Sequence, residues 1–477
     1  MNIVHISAEC YPAAKVGGLA DVVGSLPKYL NRIGQSAEVV MPAYRTNWIK
    51  SRETRTIYRG RAPYGNRSFE FTVLQIDKEL LGFPLYLIDI PGKLDREGIY
   101  IDPWSGQPYW DEMDRFFSFQ VAYLEWLREK EKKPDVIHCH DHHTALVPFM
   151  ITRCFRYDDL KSIPTIVTIH NGEYQGRYNL QNYTRLPAFP IEHLGLLDWN
   201  GELNALAAGI KCAWKVTTVS KSYMEELLES CHGLEQLLQM EKEKTTGLIN
   251  GIDTEIWDPA EDPHLAKNYT LRSRKSGKRA NKKLLSEEFG LDNSRPLFSF
   301  IGRLVREKGA DLLVRLIEQA MEKKLKLSIL VLGTGDPGFH TDLKRLRGEH
   351  VGFFDARLEY NETLAHNIYA GSDFLLMPSR VEPCGLNQMY AMRYGTVPVV
   401  RKTGGLADTV ADIRKKNGYG ILFEAYSVKD ALESVERAVQ FYHREKQFDE
   451  NRKRIMKLDF SWEKASEKYV KMYRALK

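Results

Sequence analysis

One short sequence occurs twice, as KVGGLAD over Lys15–Asp21 and as KTGGLAD over Lys402–Asp408, with six of the seven positions identical. Each copy lies between an apolar run typical of a strand and a stretch typical of a helix. Paired glycines let the backbone approach a ligand closely, and the amides that open the following helix carry partial positive charge. A tight turn also uses paired glycines, so that alternative stays open for either copy alone. The repeat, with its flanking Lys and Asp, favours a functional loop in each half.

Outward from the two copies, short β-branched runs alternate with amphipathic stretches, a pattern typical of a parallel α/β sheet with crossover helices. The predicted strands are Asn2–Ile6, Ala37–Met41, Asp135–His138, Thr165–Ile169, Val216–Val219, Leu297–Ile301, Ser328–Leu332, Phe374–Met377 and Val397–Val400. A chain of 477 residues is too long for one core. We therefore predict two Rossmann-like domains, residues 1–250 completed by 459–477, and residues 251–458.

The composition is that of an ordinary globular protein, with 43% hydrophobic residues and a formal net charge of +5. These values exclude a disordered chain and a strongly basic nucleic-acid-binding protein. Seven cations lie without an acid in Leu271–Lys283, so the rest of the chain carries a small negative excess. We interpret this segment as a charged, largely solvated linker between the two halves.

Cysteine spacing and the N-terminal sequence address the compartment. The six cysteines are scattered without a C-x-x-C pair, which favours a reduced compartment over a disulfide scaffold or zinc ribbon. Met1–Ile6 lacks the cationic region of a signal peptide, and no run of about 20 apolar residues occurs. We expect a cytoplasmic protein without membrane or nucleic-acid partners.

Histidines cluster in Pro134–His143 (PDVIHCHDHH), at the end of a predicted strand. A dinuclear metal site is one interpretation, because this stretch is rich in ligands. However, Asp141 follows His140 directly, whereas metallo-hydrolase sites of this type usually read H-x-H-x-D-H, so we predict no metal. We expect His138 and His140 to pack or cap at the strand end. His143 is the better candidate for touching substrate, because ligands bind where strands of open α/β sheets end.

Two further loops that follow apolar strands are rich in hydrogen-bonding side chains: TIHNGEYQG over Thr168–Gly176 and NGID over Asn250–Asp253. Loops at the carboxyl ends of strands are where such folds place ligands. Asn171 and Asn250 are the candidate ligands, although Asn250 followed by glycine, taken alone, favours an ordinary turn.

Two cations leave a predicted strand in FIGRLVREKG, over Phe300–Gly309. Arg303 and Lys308 would lie beside a helix N-terminus, where such a pair suits a diphosphate without a metal ion. A solvated salt-bridging loop is the alternative, since Glu307 lies between them.

A single carboxylate, Glu382, precedes a glycine that opens a helix in PSRVEPCGL, over Pro378–Leu386. It could bind a ligand at the end of its strand. It could also simply face the dipole of the helix.

Taken together, these motifs resemble the bacterial glycogen synthase and plant starch synthase family of retaining glycosyltransferases. The similarity extends over nearly the whole chain and includes the ending DFSW at Asp459–Trp462. It implies a GT-B fold, with two Rossmann-like domains facing a central cleft and a last helix crossing back to the first. It also implies an enzyme that transfers glucose from ADP-glucose to the non-reducing end of an α-1,4-glucan such as glycogen. No metal cofactor is expected, and the protein should be a monomer or weak homo-oligomer.

The resemblance also implies roles for individual residues. Arg303 and Lys308 resemble the cations that neutralise the donor diphosphate, with Lys282 as a third contributor. His143 resembles the residue beside the reacting glucose, and Glu382 a ligand of the sugar hydroxyls. The other implied substrate or nucleotide contacts are Lys15, Gly17, Gly18, Asp21, Tyr100, Asp111, Asn171, Asn250, Tyr360 (near the adenine), Cys384, Gly385, Leu386, Thr403, Gly404 and Gly405.

The chain departs from the family pattern at several positions. Glu112 stands where the family commonly has Asn after Asp111, and Ala207 stands where it commonly has Lys. These changes leave the local acceptor and phosphate contacts open. Tyr390 occupies the position where the wider class has a second Glu that binds ribose, so we assign no ribose carboxylate.

A retaining double displacement needs two carboxyl groups about 5 Å apart, and no motif supplies such a pair. We therefore predict front-face transfer, in which the leaving phosphate accepts the acceptor's proton. Two alternatives remain open: a retaining glucosyltransferase that uses UDP-glucose, and an inactive glucan-binding protein whose 8 Trp and 24 Tyr offer stacking surfaces.

Overall fold

The computed structural model describes residues 1–76 and 78–476, and this part of the chain forms two compact units. The first unit comprises Met1–Val219, Met224–Gly251 and the segment from Trp462 onward. The second comprises Ser220–Tyr223 and Ile252–Ser461. The chain therefore returns to the first unit after completing the second.

Both units are built from alternating strands and helices. The strands are β1 (Asn2–Ile6), β2 (Ser36–Pro42), β3 (Arg55–Tyr64), β4 (Arg67–Ile76), β5 (Leu85–Asp89), β6 (Val136–His140), β7 (Thr165–Ile169), β8 (Arg177–Asn179), β9 (Asp198–Trp199), β10 (Glu202–Asn204), β11 (Lys215–Thr218), β12 (Thr245–Gly247), β13 (Leu297–Ile301), β14 (Ser328–Leu332), β15 (Phe354–Arg357), β16 (Phe374–Met377), β17 (Val397–Arg401) and β18 (Ile421–Phe423). The helices are α1 (Gly18–Arg32), α2 (Asn47–Lys50), α3 (Lys78–Leu81), α4 (Glu112–Glu129), α5 (Val147–Arg153), α6 (Leu194–Leu197), α7 (Ala205–Cys212), α8 (Lys221–Glu229), α9 (Glu235–Met240), α10 (Arg274–Glu288), α11 (Ala310–Glu322), α12 (Pro337–Glu349), α13 (Glu362–Gly371), α14 (Asn387–Arg393), α15 (Gly404–Thr409), α16 (Val428–Tyr442), α17 (Glu445–Ile455) and α18 (Trp462–Arg474).

The main sheet of the first unit has the order β12-β11-β7-β6-β1-β2-β5-β4-β3 within the described residues. The strands from β12 to β5 run parallel, with Ile3 of β1 opposite Ala37 of β2 and Val136 of β6. β4 and β3 extend one edge as an antiparallel hairpin. A small antiparallel sheet of β8, β10 and β9 lies in the same unit. The order of the parallel strands reverses between β1 and β6.

The sheet of the second unit consists, among the described residues, of parallel strands in the order β15-β14-β13-β16-β17-β18. This is the 3-2-1-4-5-6 order of a Rossmann fold, with its reversal between β13 and β16. Both sheets confirm the predicted α/β class. The nine predicted strands are also confirmed, since each lies within two residues of an observed strand at either end.

The helix α18 packs on the first unit, as predicted. Trp462, Tyr469 and Tyr473 of this helix share a buried core with Val22 and Leu26 of α1. The Tyr473 hydroxyl also lies 2.8 Å from His138 Nδ1 in the sheet. The apolar side of α1 therefore contacts both the sheet and the returning helix.

The basic segment is not the solvated linker that we predicted, because most of it forms α10. Lys278 is buried, and its amine lies within 3.1 Å of the carbonyls of Tyr369, Ala370 and Tyr394 and 2.7 Å from Thr396 Oγ1. A cation with this many oxygen partners holds together the segments that supply them.

The predicted phosphate role of Lys282 is also wrong, because its amine is used within the second unit. Its amine is buried 2.7 Å from Asp373 Oδ2 and donates to the Arg295 carbonyl. Arg452 binds the other oxygen of Asp373. Burial acts to raise the pKa of Asp373, but the charges of Lys282 and Arg452 outweigh it and hold that pKa below its usual value. Lys282 thus neutralises a carboxylate of its own unit.

In the described part of the chain, no helix combines the length and the apolar character needed to cross a bilayer.

The variant Asp373→Asn should lower the free energy of unfolding by about 3–5 kcal/mol, because it leaves two buried cations without their carboxylate. Urea unfolding followed by circular dichroism measures the change. The loss should shrink as the pH falls below the unfolded-state pKa of about 3.9, since a carboxylate with a depressed folded-state pKa stabilises only while ionised.

The matched control is Lys283→Gln on the same helix. Lys283 and Glu287 form an exposed pair at 3.7 Å, so its loss should cost less than about 1 kcal/mol. Equal effects of the two variants would contradict the structural role of Asp373.

Candidate active site

Each sheet reverses its strand order once, and α/β folds bind ligands at the carboxyl ends of the strands on either side of such a reversal. In the first unit, β1 and β6 are followed by loops that begin at Ser7 and Asp141. In the second, β13 and β16 are followed by loops that begin at Gly302 and Pro378. The four predicted catalytic residues lie in or just beyond these loops: His143, Arg303, Lys308 and Glu382.

Glu9 is absent from our predicted residues, yet its carboxylate organises the loop after β1. Oε2 accepts hydrogen bonds from the amides of Val16 (2.6 Å) and Gly17 (3.0 Å), and Oε1 accepts one from the Tyr100 hydroxyl (2.7 Å). Burial raises the pKa of Glu9, although these hydrogen bonds oppose the rise. The Gly17 amide therefore donates to a carboxylate in this structure, and its substrate contact stays a prediction. The sequence signal that could have identified Glu9 was the position of an acid just after the first strand.

Lys15 and Asp21, the charges that flank the first glycine pair, form an ion pair with 2.7 Å between Nζ and Oδ1. Asp21 lies in the first turn of α1, where a carboxylate interacts favourably with the helix dipole. A Cβ added at Gly17 or Gly18 would meet no described heavy atom within 4 Å. The glycine pair thus borders open space, which leaves room for a ligand beside the two charges.

His143 lies in a short 3₁₀ turn directly after β6. Its ring stacks on that of Tyr100 at 4.8 Å between centroids and meets Phe116 edge-on at 4.5 Å. Burial, together with the nearby His142 and Arg115, lowers the pKa of His143 well below its usual value. The ring is therefore neutral and is held by aromatic packing.

Asp141 appears in the sequence only as a rejected metal ligand, but the structure gives it a clear role. It has a positive φ of 56°, a backbone conformation that residues other than glycine seldom adopt. Its Oδ1 accepts a hydrogen bond of 2.7 Å from the His170 amide at the end of β7. Burial raises the pKa of Asp141 to about 7, against the effect of its backbone hydrogen bonds. The residue ties two strand ends together and so positions the turn that carries His143.

Asp111, a predicted substrate contact, and the nearby Arg115 are both buried near the start of α4. Asp111 binds Arg96 at 3.0 Å. The Arg115 guanidinium donates to the carbonyls of Lys93 (3.1 Å) and Ile99 (3.0 Å). Arg115 therefore supports the loop that carries Tyr100, while an acceptor contact for Asp111 stays a prediction.

In the second unit, each predicted cation is paired with a carboxylate less exposed than itself. Lys308 Nζ lies 2.7 Å from Glu382 Oε1, with side-chain exposures of 22% and 7%. Arg303 lies 3.2 Å from Glu307, with exposures of 54% and 20%. The Ser379 hydroxyl donates to Glu382 Oε2 at 2.8 Å. Each carboxylate thus binds its cation from the more buried side, and the cation is the more exposed partner of the pair.

The second glycine pair has a packing role. A Cβ at Gly404 would lie 2.1 Å from the Glu382 carbonyl oxygen, and one at Gly405 would lie 2.0 Å from that of Cys384. The Gly405 amide donates to the Glu382 carbonyl at 3.0 Å. Only glycine fits here, so this copy of the repeat fixes the backbone of the Glu382 loop. The predicted residues brought together by that packing are Glu382, Cys384, Gly385, Leu386, Thr403, Gly404 and Gly405.

Three other predicted residues lie apart from these contacts. Asn171 accepts a hydrogen bond from the Glu173 amide at 3.0 Å, which shapes its own loop. The Asn250 side chain is buried, with Oδ1 unpaired among the described residues. Tyr360 is 73% exposed, as a stacking platform would be. Their ligand contacts stay predictions.

Two groups of side chains within the described residues have the composition of a metal site: His5 with His138 and His140, and Glu112 with His142 and His143. The first group is buried, and His5 Nδ1 lies 3.0 Å from His140 Nε2. His138 is bonded on both sides, to Tyr473 and Thr168. These rings thus pack the centre of the sheet, the role predicted for His138 and His140.

Comparison with known proteins agrees with this geometry. The model of the starch synthase catalytic domain matches residues 2–240, and that of glycosyl transferases group 1 matches residues 281–455. A glycogen synthase from Flavobacterium johnsoniae is 48% identical over 99% of this chain and 98% of its own length. One from Hydrogenobaculum sp. is 37% identical over 100% and 99%.

Among solved structures, the catalytic domain of starch synthase IV from Arabidopsis thaliana, bound to ADP and acarbose, superposes with a TM-score of 0.88. It is 31% identical, and the match covers 100% of this chain and 99% of that one. A sucrose-phosphate synthase from Thermosynechococcus elongatus, 16% identical with a TM-score of 0.59, shares the fold alone. The chain has the GT-B glycosyltransferase fold, and it belongs to the family of bacterial glycogen synthases and plant starch synthases.

Proposed function

We propose that the protein is a glycogen synthase that transfers glucose from ADP-glucose to the non-reducing end of an α-1,4-glucan, with retention of anomeric configuration. The observation that carries the proposal is the layer of cations over carboxylates at the strand reversal of the second unit. Cations held in fixed positions suit a diphosphate, whose charge grows as the sugar leaves. The presence of ADP in the related starch synthase structure supports adenine as the donor base.

In this proposal, Arg303 and Lys308 bind the diphosphate, and Glu382 orients the glucose through its hydroxyl groups. The Lys308–Glu382 ion pair of 2.7 Å links the two tasks, because it fixes the sugar ligand relative to the phosphate ligand. The site of the second unit thus sets the position of the bond that breaks.

The first unit contributes the neutral ring of His143 and the Lys15–Asp21 pair beside the open glycine loop. A neutral imidazole adds no positive charge that would oppose the oxocarbenium character developing on the sugar. The stacking of His143 on Tyr100, which Glu9 anchors, keeps the ring in place. We propose that this side binds the glucose and the incoming glucan.

The proposed reaction is a front-face transfer. The bond between C1 of glucose and the β-phosphate oxygen breaks, and O4 of the terminal glucan residue bonds to C1 on the same face. The proton of that hydroxyl passes to the leaving phosphate. This route is supported by Glu382 itself, whose carboxylate is bound by Lys308 and Ser379 and is therefore suited to hold hydroxyls rather than to attack C1.

The cytoplasmic location, the lack of a metal requirement and the monomeric or weakly oligomeric state remain predictions.

Substituting the cations tests the diphosphate assignment. Arg303→Ala and Lys308→Ala should each lower kcat with ADP-glucose and glycogen by about 10²–10³-fold, because each removes charge that stabilises the leaving group. Initial rates of ADP release measure the effect, and circular dichroism checks that the variants fold.

Arg306→Ala is the matched control, since Arg306 is exposed in the same loop. It should retain near-normal kcat. Near-normal turnover of both Arg303→Ala and Lys308→Ala would contradict the assignment.

A donor comparison tests the nucleotide. With glycogen as acceptor, kcat/KM for ADP-glucose should exceed that for UDP-glucose by at least about tenfold, because a base-specific pocket leaves polar groups unpaired with the wrong base. Nuclear magnetic resonance of the product should show new α-1,4 linkages. Faster transfer from UDP-glucose would identify a different donor, and glucan binding without nucleotide release would indicate an inactive binding protein.

A further inference from the structure

We propose that Glu112, His142 and His143 form a binding site for one divalent transition-metal ion, such as Zn²⁺, in the first unit. We predict that glucose transfer does not require this ion. The site would instead allow a metal ion to control the residue that we place beside the reacting glucose.

The three side chains converge on one point. His142 Nε2 and His143 Nε2 lie 3.8 Å and 4.0 Å from the same oxygen, Glu112 Oε1, and all three ligand atoms lie within 4.8 Å of one another. Ligands bonded to tetrahedral zinc at about 2.0–2.2 Å lie roughly 3.4 Å apart. The Glu112 oxygen would have to approach each histidine nitrogen by roughly half an ångström, and the two histidine nitrogens each other by at most about 1.4 Å, to place all three on one ion with the fourth position open to water.

The hydrogen bonding of His142 favours this use. Its Nδ1 lies 3.2 Å from the Tyr174 carbonyl oxygen, which can only accept a hydrogen bond, so Nδ1 carries the hydrogen. In the neutral ring, Nε2 therefore presents a lone pair towards the Glu112 carboxylate. Metal-bound histidines usually have just such a carbonyl on their other nitrogen.

Glu112 Oε1 lies 3.8 Å from His142 Nε2, which is too long for a direct hydrogen bond. A metal ion between the side chains would serve all three groups at once.

His143 Nε2 lies 4.0 Å from Glu112 Oε1, and the other ring nitrogen, Nδ1, is buried without a hydrogen bond in the described part of the chain. An ion at Nε2 would give this buried imidazole a bonding partner.

The site is also open to solvent on its acidic side. A pocket of about 350 Å³ is lined by Glu112, His142, the stretch Glu173–Tyr178 and His232. The Glu112 side chain is 38% exposed, whereas those of His142 and His143 are 6% and 7%. An ion could thus be captured by the carboxylate and passed to the imidazoles. The fully buried group of His5, His138 and His140 offers no such entry.

Binding of Co²⁺ to the full-length, chelator-treated protein tests the proposal, because its absorption spectrum reports the ligands. One equivalent should bind with visible d–d bands and without the near-ultraviolet thiolate band that a cysteine site would give. Calorimetry with Zn²⁺ should give the same stoichiometry. His142→Gln and Glu112→Gln should each weaken binding by about 10–100-fold. The control His232→Gln, in the same pocket but outside the triad, should bind as the unaltered protein does.

A kinetic consequence rests on the proposed function. Stoichiometric Zn²⁺ should slow glucose transfer, since it occupies His143, and this inhibition should be lost in Glu112→Gln. Metal binding and glucose transfer are measured independently, so the two proposals can fail independently. Co²⁺ binding without transfer from ADP-glucose would overturn the proposed function alone.

The absence of a bound equivalent of Co²⁺ or Zn²⁺, or equal affinity in Glu112→Gln, His142→Gln and His232→Gln, would overturn the site. Glu112→Gln keeps the size of a partly exposed side chain, so it remains informative should His142→Gln fail to fold.

Discussion

The reversal of strand order in each sheet is the constraint on which both candidate sites depend. Parallel strands place all their carboxyl ends at one edge, and right-handed crossovers that lead to opposite sides of a reversal lie on opposite faces of the sheet. The loops after β1 and β6 therefore lead to opposite faces of the sheet, and the same holds for β13 and β16. Glu9 and His143 in one unit, and Lys308 and Glu382 in the other, lie in or just beyond these loops.

The two glycine pairs show that one sequence can meet two physical needs. The first pair borders open space beside an ion pair, where a side chain would occupy room that a ligand needs. The second pair lies against the carbonyls of Glu382 and Cys384, where any Cβ would collide with the backbone. The second copy therefore acts on the site indirectly, by fixing the loop that carries its carboxylate.

Much of this architecture could be predicted because buried parallel strands leave a strong local signal. Runs such as Thr165–Ile169 and Leu297–Ile301 are apolar on both faces, and their bounds agree with the structure. The hairpin β3–β4 was missed, since its exposed, charged residues alternate with buried ones at the edge of the sheet. The helix α10 was missed because the seven cations of Leu271–Lys283, six of them in the helix, resemble a solvated segment.

Long-range pairing also decided which site residues could be predicted. Arg303 and Lys308 follow directly from their position between a strand and a helix. The role of Lys282 depends on its ion pair with Asp373, which lies far along the chain, and no local sequence pattern reveals such a pairing. The role of Glu9 likewise depended on Tyr100 and on amides that only folding brings within reach.

The placement of α18 on α1 has a consequence for synthesis. The first unit begins to emerge from the ribosome before the second, yet part of its core, including Trp462 and Tyr473, is made after the whole second unit. The second unit can fold before α18 is synthesised and packs on the apolar side of α1. The first unit is therefore synthesised first but completes its core last, and in the interval a chaperone would have to cover the exposed apolar side of α1.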